Sequence, residues 1–132
     1  MNLIQTHATE ILILLFLTVT FLQSGIDKVN DWKGNVSFIK DHFKNSPFKN
    51  SVPLLLAIIL VMEILAGAFM LVGIFNLATT GAKDLALLGI ELAALSLIFL
   101  LIGQRLAKDY AGAMTLAVYF IIAIFGVYIL NS

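Results

Sequence analysis

The chain contains no cysteine. Disulfides, thiol redox chemistry and cysteine-ligated metals are therefore excluded within it. Charge is also scarce: 12% of the 132 residues are Asp, Glu, Lys or Arg, against roughly 25% in soluble domains. The few charges cancel, eight basic against eight acidic, so the balance points to neither an acidic nor a basic partner. No basic stripe suited to nucleic acid occurs, so a nucleic-acid partner is not expected. His7 and His42 are the only histidines, too few for a haem pair at bundle depth. The two prolines, Pro47 and Pro53, bracket the approach to one long apolar run, where residues that cannot continue a helix are tolerated.

What is present is hydrophobicity: 61% of residues are apolar and the mean hydropathy is +1.02. This is the composition of an integral membrane protein. A helix needs ~20 mostly apolar residues to cross a ~30 Å hydrocarbon core. Four segments meet that length, at about 5–23, 52–75, 85–103 and 110–130. The expectation is one transmembrane domain over 1–132, an all-α antiparallel four-helix bundle in the lipid bilayer. The first segment lacks a basic leader and a small-x-small cleavage site, so it is expected to stay as a span.

The longest connection, 24–51, differs in character. Val36, Ile39 and Phe43 fall at helical spacing with Lys40, Asp41 and Lys44 elsewhere on the wheel, and Trp32 and Phe48 flank them. That pattern predicts a short interfacial helix between the first two spans. Lys28, Lys33, Lys40, Lys44 and Lys49 lie in this connection, Arg105 and Lys108 in the third, and Lys83 alone in the second. By the positive-inside rule the first and third connections face the cytoplasm and both termini face out. Tyr110 and Tyr128 then mark the two ends of the fourth span.

Two glutamates interrupt the apolar runs. Glu63 lies near the middle of the second span and Glu91 two turns into the third. A carboxylate in hydrocarbon costs ~2.5 kcal/mol or more, so such residues are paired, protonated or used. Gly67 shares the helix face of Glu63, with Ala66, Ala68 and Gly73 close by. Gly89 and Ala93 form a small-xxx-small step beside Glu91, and Asp84 lies on its stripe. Small residues allow close helix approach, so both glutamates are expected to face the bundle interior. Glu10 shares a face with His7 and is expected either to snorkel to the surface or to join Glu63 and Glu91 in one half of the bundle. His7 is expected to be solvated.

The segment FLQSGIDKVNDW at 21–32 reads as a helix stop. Gly25 permits a C-terminal turn, and Asp27 and Lys28 fall at the interface, where Lys28 suits the negative end of the helix dipole.

The same stretch resembles the DoxX family of small bacterial membrane proteins. The resemblance lies in a Phe-x-x-Ser-Gly-x-x-Lys pattern at Phe21, Ser24, Gly25 and Lys28, and in a second span with Glu63, Ala66, Gly67 and Gly73 before Ile74 and Phe75. It covers 12–75, about half of the chain. It implies a bacterial cytoplasmic (inner) membrane protein. The role it implies is a subunit or accessory of a quinone-linked oxidoreductase or an envelope complex, with other membrane subunits or further copies as partners. Glu63, with Glu91, would contact a partner or a quinone head group. No cofactor motif is visible, so any redox centre would lie in a partner. Members of the family often carry arginines where Leu14 and Leu77 stand here. Glu63 would then lack its cation and be protonated, hydrogen-bonded or paired from outside. An alternative of a different class is a small proton-coupled transporter using an intramembrane carboxyl, Glu10.

Overall fold

The structure is a computed structural model that describes residues 2–42, 44, 49–106 and 108–132. Among the described residues every regular element is helical. A single turn α1 (Leu3–Thr6) leads into α2 (Ala8–Asn30) and α3 (Trp32–His42). After a 3₁₀ turn at Lys49–Ser51 come α4 (Val52–Thr79), α5 (Asp84–Leu106) and α6 (Tyr110–Asn131). The helices α2, α4, α5 and α6 are each long and apolar enough to cross a membrane. The architecture is the all-α four-span bundle expected from hydropathy, and the chain is a multi-pass membrane protein.

Local chemistry explains the boundaries. Asn2 accepts the Gln5 N–H at 2.8 Å and starts α1. Pro53 sits in the first turn of α4, where its missing N–H would have no helical partner anyway. Gly81, at φ 77°, takes the left-handed conformation that ends α4, and its N–H donates to the Asn76 carbonyl at 2.9 Å. Asp109 accepts the Gly112 N–H at 3.0 Å and caps α6.

Successive long helices pack side by side, α2 on α4, α4 on α5 and α5 on α6, and α6 returns to α2 to close the ring. Each buries one stripe. On α2 it runs through Leu14, Leu17, Thr18, Phe21 and Gly25; on α4 through Leu56, Glu63, Gly67, Met70 and Leu77; on α5 through Ala86, Gly89, Ala93 and Leu97. The helices α4 and α5 approach most closely. A Cβ on Gly73 would overlap the Ala86 backbone, and one on Gly89 would meet the Met70 backbone nitrogen at 2.7 Å. The remaining surface of the spans is mostly apolar: only 22% of the apolar window of α6 is buried within the chain. Such a surface needs lipid or a partner to cover it.

The turn at 80–83 and both termini share one end of the bundle. Lys83 Nζ donates to the Ser132 carbonyl at 3.2 Å, and Gly81 lies beside Leu3 and His7. The opposite end carries α3 and most of the lysines. There Trp32, Val36 and Ile39 are partly buried on one face of α3, while Lys33, Ser37, Lys40 and Asp41 are exposed. This matches the amphipathic pattern, although Phe43, Pro47 and Phe48 lie outside the described residues.

One boundary differs from the sequence reading. Gly25 does not close the first helix. The helix runs through it to Asn30, because Gly25 lies against the Ile64 side chain of α4, where the helices pack, with room for no side chain larger than about a methyl.

Candidate functional site

The continuation of α2 past Gly25 carries Lys28 along the buried stripe, since Phe21, Gly25 and Lys28 follow one another by four and three residues. Lys28 thereby reaches α4 rather than water. Its Nζ donates to Glu63 Oε1 at 3.1 Å and Oε2 at 3.3 Å, and to Ser24 Oγ at 2.6 Å. The Glu63 side chain is 2% exposed and that of Lys28 13%. A buried carboxylate is tolerated when a charge and hydrogen bonds satisfy it, and here both oxygens face one ammonium. The Glu63 side chain is thus not short of a cation: Lys28, two turns past Phe21, supplies it from within the chain. All three Lys28 N–H groups are engaged. The Ser24 hydroxyl hydrogen is the one donor of the cluster not committed inside it.

Gly67 stands one turn further along α4 on the Glu63 face and abuts Leu22. It lets α2 come close enough for Lys28 to reach. Asp27, next in sequence to Lys28, is exposed and stays outside the cluster.

An apolar cleft of about 400 Å³ lies at the same end, roofed by α3. Leu56 and Ile59 form part of its wall, seven and four residues before Glu63 on the same α4 face. Phe38 of α3 and Phe99 of α5 line it, and Gln104 and Asp109 supply polar groups at its edge. Ile58, Phe99 and Ile102 are exposed, so the cleft opens sideways, toward lipid in a membrane. Sequence reasoning missed this site because a cleft between helix ends depends on how far each helix runs, and hydropathy does not set that.

The other sequence candidates separate. Glu10 is buried and accepts from or donates to His7 Nδ1 at 2.9 Å. It neither snorkels nor leaves His7 solvated, for the two side chains are 11% and 14% exposed. Glu10 and Lys28 are eighteen residues apart on α2, roughly 27 Å along the axis, so Glu10, at the end that carries the termini, lies far from Glu63 and shares no site with it. Glu91 is exposed on the outer face of α5, not turned inward. The small residues beside it explain why: Gly89 packs against α4, and two residues on a helix is a rotation of about 200°. Among the described residues no group of three or more His, Asp or Glu is placed to hold a metal.

Comparison with known proteins found no matching family model, no matching curated protein and no matching solved structure.

Proposed function

We propose that the chain is a small membrane accessory subunit of the DoxX type, which holds an apolar, membrane-soluble molecule for a partner oxidoreductase or envelope complex in a bacterial inner membrane. The observation that carries this reading is the lateral apolar cleft one turn along α4 from the Lys28–Glu63 pair. Its volume of about 400 Å³ falls within the ~300–1,000 Å³ range of small-molecule sites. The residues fit a quinone: Leu56, Ile59 and Phe99 would hold its apolar part, and the Gln104 amide at the rim would donate to a carbonyl oxygen. A bound quinone would supply the electron-transfer chemistry. Lys28 and Glu63 hold α2 against α4 one turn from the cleft wall. Charge bias orients the bundle, with the cleft and α3 on the cytoplasmic side and the termini outside.

Purification of the full chain from its native membrane in mild detergent, with extraction and mass spectrometry of bound lipids, tests the reading. A quinone at near-stoichiometric ratio, depleted when Ile59→Trp fills the cleft, is expected. Absence of quinone from both proteins sinks the quinone assignment, and absence of any co-purifying membrane subunit sinks the accessory role. The transporter alternative draws no support from Glu10, which is paired with His7 far from the other buried carboxylate. Proton flux in proteoliposomes that disappears with Glu10→Gln would reinstate it.

A further inference from the structure

Two exposed polar side chains at mid-height make no polar contact among the described residues. Gln23 on α2 and Glu91 on α5 are exposed, and neither has a hydrogen-bonding or ionic partner among the described residues. Packing contacts set their heights. Gly73 lies against Ala86 and Gly89 against Met70, so two residues beyond Gly89 bring Glu91 level with Ala68 of α4. Gly67 lies against Leu22, so Gln23 is level with Ala66. The two heights differ by roughly 3 Å. Both lie at the middle of α4, which runs from Val52 to Thr79, roughly 20 Å from either end of that helix. Neither side chain is long enough to reach a head-group region from there. An amide and a carboxyl facing hydrocarbon need a partner.

The helices α2 and α5 sit diagonally across the bundle, each packed on α4 and α6, so their outer faces look in opposite directions. They also run the same way through the bundle. A second copy, inserted the same way up and placed alongside, therefore brings its Glu91 face onto the Gln23 face of the first at matching height. Around the polar residues both faces are apolar, with Phe16, Val19 and Ile26 on α2 and Leu88, Leu95 and Ile98 on α5 exposed. On each face the positions alternate by three and four residues, the spacing of a helix–helix seam.

We propose that copies of this chain associate side by side in the membrane, α5 of one against α2 of the next, with the Gln23 amide donating to the Glu91 carboxyl. This pairing satisfies both polar groups at once. A two-fold pairing of α5 with α5 would oppose two carboxyls and leave Gln23 in lipid. The contact is heterologous, so the rows close into rings or extend.

The absence of cysteine makes the test direct. Val19 and Leu88 are both exposed and lie level with residues 70 and 71 of α4. The full-length double variant Val19→Cys/Leu88→Cys, in phosphatidylcholine vesicles, is oxidised and resolved by size. The expected result is a ladder of dimers, trimers and larger species, with each single-cysteine variant remaining monomeric. Adding Glu91→Leu or Gln23→Leu should cut the cross-linked fraction roughly threefold to tenfold, the range of one interhelical hydrogen bond in a membrane. Helical circular dichroism should not change, because both side chains are exposed. Dimers from Leu88→Cys alone that stop at two would establish α5–α5 pairing and overturn the proposal. No ladder, or a ladder insensitive to both leucine substitutions, would overturn it as well.

Discussion

Lys28 and Glu63 are 35 residues apart in sequence and meet at 3.1 Å. The first belongs to the last turn of α2 and the second to the middle of α4. The contact fixes both the rotation and the height of one helix against the other.

Removing one partner strands a charge in a low-dielectric interior, whereas replacing both with apolar groups strands none. Lys28→Met and Glu63→Leu are each expected to destabilise the bundle by about 3–5 kcal/mol, and the double variant to recover most of that loss. Reversible unfolding in bicelles, read as a double-mutant cycle, measures the coupling. A double variant as unstable as the sum of the singles would show that the pair is not coupled.

The two glycine contacts of α4 and α2 differ in what they touch. A methyl at Gly73 meets the Ala86 backbone, which cannot move without parting two helices. A methyl at Gly25 meets the Ile64 side chain at 3.1 Å, and a side chain can turn. Gly73→Ala should cost about 1–3 kcal/mol or more, and Gly25→Ala less. Unfolding midpoints of the two variants under one set of conditions test the order.

The His7–Glu10 pair joins the first turn of α2 to the residue between α1 and α2. Its loss should loosen that end alone. His7→Ala is expected to speed amide hydrogen exchange over residues 2–12 while leaving exchange in α4 and α5 unchanged. Uniform acceleration across all helices would show that the pair supports the whole bundle.

The proposed orientation rests on charge bias. In sealed, oriented vesicles or cells, Lys33→Cys and Ser132→Cys should react with a membrane-impermeant maleimide from opposite sides, Ser132→Cys from outside. Labelling of both from one side would refute the four-span reading, and a reversed pattern would invert the orientation.

Hydropathy was sufficient for the four spans because runs such as 52–75 exceed the membrane thickness with one charge. The amphipathic spacing of Val36 and Ile39 likewise announced α3. Orientation within a span was harder to read. Apart from Glu91 and Ser96 the middle of α5 is apolar all round, so hydropathy alone does not tell its inner face from its outer one. The clue was in the small residues: Ala86, Gly89 and Ala93 form the buried stripe, and Glu91 lies across the helix from it. Lys28 was masked by position. A lysine near a helix end reads as a dipole partner, and only the extension of α2 through Gly25 turns it inward. The Phe-x-x-Ser-Gly-x-x-Lys spacing held that information, since it places Phe21, Gly25 and Lys28 on one side.

The ion pair also sets the register of the first two spans. The helix α2 is made first and keeps its lysine near a membrane surface, where an ammonium is tolerated. The helix α4 follows with an acidic residue that costs ~2.5–3.5 kcal/mol at mid-span on insertion scales. The waiting ammonium offsets that cost only if the two helices meet in the right alignment. A slip of one turn, about 5.4 Å, would leave Glu63 in bare hydrocarbon. The pair therefore favours the aligned α2–α4 hairpin over one a turn out of step.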